Sequence, residues 1–129
     1  MPFEVTYKTI THPAFQGGLS KVLNTESKDH KIVYNLMRVG DLIDQNVKEA
    51  QRTYKKLAKN HDVLNEHGII DTSADGNEEW RKAHEDFLKQ TVKVERHKIR
   101  MEDIENVSLT PLELSALEPI LDGIDGLAN

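Results

Sequence analysis

One stripe of residues constrains this chain more than any other feature. Val33, Leu36, Gly40, Ile43, Val47, Ala50, Tyr54, Leu57, His61 and Leu64 follow one another at alternating spacings of three and four, which keeps them on one side of an α-helix. No proline interrupts the stretch from Lys28 to Glu66. The pattern predicts one helix over 28–66, about 39 residues and on the order of 58 Å long at 1.5 Å per residue. Ile32, Val39 and Leu42 widen the stripe near its start, so that end is expected to pack against more than one neighbour. Gly68 stands where a left-handed residue would end the helix, with Ile69 and Ile70 folding back on its last turn.

A helix this long must cover its stripe with something, and the next segment supplies a partner. Asp71 to Asn77 is turn chemistry, and a second helix is expected over 77–91. Asn77 is the expected N-cap, and Glu78 and Glu79 suit the positive end of the helix dipole. Trp80, Ala83, Phe87 and Leu88 mark its apolar side. The expectation is a long antiparallel hairpin with Val47 and Leu57 facing the region of Trp80 and Phe87.

The flanking segments read differently. Phe3, Val5 and Tyr7 alternate with Glu4, Thr6 and Lys8, the period of a half-buried strand. His12-Pro13 and Gly17-Gly18 are expected to interrupt regular structure before a short helical stretch around 19–23, making 1–24 an N-terminal arm. The residues from Thr91 to Met101 alternate in two registers with an irregularity near Arg96, and are expected to pair with that arm as a minor β element. Thr110-Pro111-Leu112-Glu113 carries an N-cap, a proline at the first helical position and the acid of a capping box. A short terminal helix follows, with Leu112, Leu117, Ile120 and Leu121 on its apolar side and Pro119 dividing it. The fold class is therefore mainly α, as one domain over 1–129.

Composition narrows function mostly by exclusion. The chain has no cysteine, which removes disulfides, thiolate catalysis and cysteine-held metal. The opening Met-Pro-Phe-Glu-Val lacks the basic and then apolar order of a signal peptide, so synthesis in the cytoplasm without export by that route is expected. No apolar run nears the ~20 residues that span a bilayer, and no membrane association is expected. His61 and His84 would meet at one level of a hairpin, yet neither helix carries a His-x3-His pair or a Glu-x-x-His motif, so no metal is expected. Glu78-Glu79 and Glu85-Asp86 alternate with Lys82 and Lys89, which reads as surface ion pairing rather than a carboxylate cluster. Gly17-Gly18 is followed by Leu-Ser, which is no phosphate loop, and no nucleophile elbow exists. Neither catalysis nor a cofactor is expected.

Charge is distributed unevenly. The net −5 arises because residues 101–129 hold seven acids and no base, while all 17 Lys and Arg precede them. Lys48, Arg52, Lys55 and Lys59, spaced four, three and four apart with Lys56 nearby, form a basic ridge beside the apolar stripe. Such a ridge serves as a solvated flank or docks on an acidic protein surface, such as the acidic end of a neighbouring copy; nucleic acid is disfavoured by the acidic whole chain and the lack of interleaved aromatics.

The ending Ile104-Glu-Asn-Val-Ser-Leu-Thr-Pro-Leu-Glu-Leu-Ser-Ala-Leu-Glu-Pro-Ile-Leu follows a long helix, a Gly68-Ile-Ile-Asp turn, a shorter helix and Val92-Lys-Val-Glu-Arg-His-Lys-Ile. This order over residues 30–122 resembles small uncharacterised proteins encoded among the structural and tail genes of tailed bacteriophages. The resemblance implies a non-enzymatic structural or assembly role in a virion, binding copies of itself or larger virion proteins, with no catalytic residues to carry over. The alternative is a cytoplasmic helical adaptor or inhibitor that binds a host protein. Because the second helix is too short to cover the first, Leu36, Val39 and Ile43, with Leu117, Ile120 and Leu121, are expected in a contact with another subunit, adjusted by Lys48, Arg52, Lys55 and Lys59.

Overall fold

The computed structural model describes residues 2–123; Asp125 of the acidic end lies outside them. The described chain is mainly helical. Strand β1 (Phe3–Thr6) leads into helices α1 (Tyr7–Thr11), α2 (Pro13–Leu23), α3 (His30–Asn60) and α4 (Asn77–Leu88). Strands β2 (Thr91–Val94) and β3 (Ile99–Arg100), a 3-10 turn, helix α5 (Pro111–Leu117), a second 3-10 turn and strand β4 (Leu121–Asp122) complete it.

The N-terminal arm and the return segment pair. β1 and β2 are antiparallel, with Phe3 opposite Val94, Val5 opposite Val92 and Glu4 opposite Lys93. Alternation then does the sorting: Phe3, Val5, Val92 and Val94 are buried, while Glu4 and Lys93 are exposed. β3 and β4 form a separate parallel pair, Ile99 beside Leu121 and Arg100 beside Asp122. The irregularity near Arg96 is the loop between β2 and β3.

Gly17-Gly18, expected to break regular structure, lies inside α2. Pro13 sits at the start of this helix, and the His12 Nδ1 accepts from the Ala14 N–H at 3.1 Å. Gly18 faces α5 so closely that an added Cβ would come within 2.8 Å of a Leu117 methyl. The missing side chain is what lets the two helices meet. Lys21 and Glu113 tie the same pair at 2.7 Å.

α3 is shorter than its stripe suggests. It ends at Asn60 because Asp62 adopts the left-handed conformation (φ 55°), Asp62 N–H donates to the Lys59 carbonyl and Val63 N–H to the Ala58 carbonyl. That is a Schellman closure with aspartate in glycine's usual place, and buried Val63 packs back against Ala58. His61 and Leu64 therefore leave the helical stripe. Gly68, also left-handed at φ 74°, serves a tight turn instead, in which Asn65 exchanges backbone contacts with Ile69 and Gly68.

α4 stops at Leu88 and not at residue 91, and its N-cap is Gly76 rather than Asn77. Asn77 is buried inside the first turn, where its side chain donates to the Asp71 carbonyl and accepts from Arg81 Nε. The helix lies against the later part of α3 through Tyr54, Ala58 and Leu57 near Trp80. Phe87 instead stacks on Tyr7 at 4.4 Å, and Val47 packs on the main core.

The earlier half of α3 is covered by the N-terminal arm, which folds into α1 and α2. Consequently Leu36, Val39, Ile43, Leu117, Ile120 and Leu121 lie inside the chain's own core, each at most 4% exposed. Their expected place in an intermolecular contact is corrected: no surface of theirs is left to offer. Two positions err in the opposite sense, because Val33 is 43% and Leu112 65% exposed.

Candidate functional site

Helical spacing gives α3 a second face as regular as the first. Toward its start this outer face carries Val33, Tyr34 and Met37, all large apolar or aromatic side chains in solvent. Further on come Lys48, Arg52, Lys55 and Lys59, all exposed as the sequence spacing requires. The structure thus brings the four bases onto one ridge. Lys48 is paired with Asp44 one turn earlier, at 3.1 Å. Among the described residues no carboxylate lies within ion-pair distance of Arg52, Lys55 or Lys59. Exposed bases this close repel one another, and solvent and salt screen that repulsion.

Beside the ridge runs a furrow. Residues of α3 from Gly40 to Tyr54 form its floor, α2 contributes Leu19 and Leu23, and α4 contributes His84 and Leu88. Its two stretches are neighbouring hollows of about 520 and 660 Å³ that share Gln16, Val47 and Gln51 in their walls. Lys55 borders both the furrow and the shallow trough that contains Lys48 and Arg52.

At the furrow's far end three rings meet. Tyr54 is edge-on to Trp80 (5.4 Å) and to His84 (5.0 Å), and Trp80 and His84 stack nearly parallel at 5.6 Å. Burial holds the His84 imidazole below its ordinary pKa, while the Glu85 carboxylate pushes it the other way. The Trp80 indole Nε1 is buried and has no hydrogen-bond partner among the described residues. His61 caps α3, its backbone N–H bonded to the Leu57 carbonyl. Among the described residues no three His, Asp or Glu side chains converge as a metal site would require, and no helix is long and apolar enough to cross a membrane.

A second concavity, of about 890 Å³, opens between the start of α3 and the β2–β3 loop. Sequence reasoning missed it, because its facing walls, at Asn35 and Arg96, are 61 residues apart in the chain. Arg96 Nε donates to Asn35 Oδ1 at 3.0 Å and its guanidinium stands 5.2 Å from the Tyr34 ring centre, while Asn35 Nδ2 donates to the His97 carbonyl. Arg96 therefore anchors its own loop. Its lining includes both bases (Lys31, Lys98, Arg100) and acids (Asp29, Asp103, Asp122), so the opening has no single electrostatic sign.

Comparison with protein-family models, with curated proteins and with solved structures finds no match to this chain.

Proposed function

We propose that this chain is a small non-enzymatic protein that works by docking on other proteins, as a structural or assembly component of a bacteriophage virion. The observation that carries the docking part is the outer face of α3, where a patch of Val33, Tyr34 and Met37 precedes a ridge whose Arg52, Lys55 and Lys59 have no acidic partner within the described residues. Exposed large apolar groups beside uncompensated charge are what a protein-binding surface presents. The viral part is supported by the resemblance in the order of elements and in the Ile104 to Leu121 ending. In this reading the partner is a larger virion protein or a further copy, the site of action is the particle, and no metal, cofactor or nucleic acid takes part.

A cytoplasmic adaptor or inhibitor acting on a host protein would use the same face, and the place where the protein accumulates separates the two. Mass spectrometry of purified particles is expected to find the chain at a fixed copy number that survives washing in high salt. Its absence from particles, with abundance in the infected-cell lysate, would reject the virion role in favour of the adaptor.

A further inference from the structure

The outer face of α3 carries three blocks in order. After the apolar patch come two exposed acids, Asp41 and Asp44, and then the basic ridge. From Tyr34 and Met37 through the acids to Lys59, these residues follow one another three or four apart. They therefore share an arc of about 80° along about 38 Å of helix. Every one of them is exposed, although Arg96 stands over the Tyr34 ring. The shallow trough along Lys48, Arg52 and Lys55 is lined, among the described residues, by α3 alone.

Read in reverse, this stripe complements itself. Against a second copy running the other way, with a two-fold axis level with the Asn46–Val47 peptide, Asp41 meets Arg52 and Asp44 meets Lys48. In the same register Met37 meets Lys55 and Tyr34 meets Lys59, and symmetry makes each contact twice. We propose that the outer face of α3 docks on the same face of a second copy in this antiparallel register. The proposal rests on the reading of the chain as a docking protein, and selects the further copy as its partner.

Charge selects both the occupant and the register. A partner acidic throughout, or a phosphate backbone, would meet Asp41 and Asp44, and a basic partner would meet the ridge. A partner with both blocks in reverse order avoids each clash, and a second copy has them. Sliding by one heptad sets Asp41 against Asp44 in one direction and Lys48 against Arg52 in the other, while a parallel two-fold pair sets like on like throughout. The pairs within the chain, Lys48 with Asp44 at 3.1 Å and Arg38 with Asp41 at 4.0 Å, are exposed and contribute little alone. Each carboxylate has acceptor capacity for a second base. The like-charge approach in this register is Arg38 toward Lys56 on the flank, and Asp41 beside Arg38 offsets it. Ion pairs of this kind fix orientation more than affinity; the apolar contact comes from the aliphatic stems of Lys55 and Lys59 lying over Met37 and Tyr34.

Sedimentation equilibrium of the whole chain, up to about 1 mM, is expected to show a dimer that dissociates as salt rises. Two double variants, Asp41→Lys with Asp44→Lys and Lys48→Glu with Arg52→Glu, alter exposed side chains and should melt as the parent does. Alone, each should self-associate about tenfold or more weakly. Mixed in equal amounts they should form a heterodimer about as tight as the parent dimer, because every reversed charge again meets its opposite. A nitroxide on Lys59→Cys, in a chain with no other thiol, should broaden the amides of Val33 to Met37 in an isotopically labelled parent copy. The inference fails if the chain stays monomeric, if association is indifferent to salt or persists in both variants, or if the mixture does not associate. It fails likewise if the broadening falls instead on the labelled copy's Lys55 to Asn60, or on residues outside α3. Particle proteomics is independent of these outcomes: a monomer present in particles overturns this inference alone, and a dimer absent from particles overturns the virion reading alone.

Discussion

Gly76 shows how a residue with ordinary backbone angles can still be irreplaceable. Its φ of −82° suits any amino acid, so entropy alone would make Gly76→Ala neutral or stabilising by about 0.4–1 kcal/mol. Space decides the sign instead. A Cβ built there would overlap the His61 carbonyl oxygen and stand 3.6 Å from a Val63 methyl. The carbonyl belongs to the closing turn of α3, which cannot move without opening the Asp62 and Val63 hydrogen bonds. Gly76→Ala is therefore expected to cost about 1–3 kcal/mol, read from the midpoint of urea unfolding at unchanged slope. A variant as stable as the parent would show that the 61–76 connection shifts freely. Asp62 makes the complementary case, since its left-handed backbone rather than the more conspicuous Gly68 ends the long helix.

The capping box of α5 joins residue chemistry to the placement of an element. Glu113 Oε1 accepts from Thr110 N–H at 2.9 Å and from Lys21 Nζ at 2.7 Å, and Thr110 Oγ1 accepts in turn from Glu113 N–H. The Lys21 ammonium first, and the Thr110 amide second, hold the Glu113 carboxyl below its ordinary pKa. A carboxyl depressed in the folded state contributes stability above its unfolded pKa and loses it as pH falls through the folded one. The difference in stability between the parent and Glu113→Gln should thus be largest near neutral pH and vanish in acid; a difference independent of pH would exclude the carboxylate as its source. This element was legible in the sequence because all its parts lie within four residues. The β1–β2 pairing was legible because alternation needs no knowledge of the partner. What escaped was decided by tertiary approach: Gly17-Gly18 reads locally as a break, yet Gly18 is where α5 touches α2. The same gap misplaced the site. The ridge is readable from spacing alone, whereas the closure of Leu36, Val39 and Ile43 depends on how α1 and α2 fold back on α3, which no local pattern fixes. The furrow is assembled from four helices and leaves no local signal.

At the scale of the whole molecule most of the buried apolar residues fall into two unequal groups. Sixteen of them, drawn from both sheets, from α1, α2, α5 and the earlier half of α3, and from the two 3-10 turns, form one core; Ala58, Val63 and Trp80, with half-buried Leu57, Leu64, Ile70 and Ala74, form a second beyond it. A cluster this small buries little apolar area, so the distal unit should open at a free energy well below that of global unfolding. His84 supplies a lever that acts on this unit alone, because its ring packs on Trp80 and Tyr54. Burial depresses its folded pKa below the ordinary value of about 6.5. The unfolded or opened segment therefore binds the proton more readily, and stability that is complete above the ordinary value is lost as pH falls through the folded one. Lowering the pH from neutral to about 5 is expected to speed amide exchange from Val63 to His84, after correction for the intrinsic pH dependence, and to change the emission of Trp80, the chain's single tryptophan. Amides of β1, β2 and the Leu36 to Ile43 turns should keep their protection over the same interval. In His84→Phe the stacked ring remains but the proton site is gone, and both distal responses should disappear. Exchange that accelerates uniformly along the chain, or a response that persists in His84→Phe, would mean that the two cores unfold as one unit and that the acid sensitivity arises elsewhere.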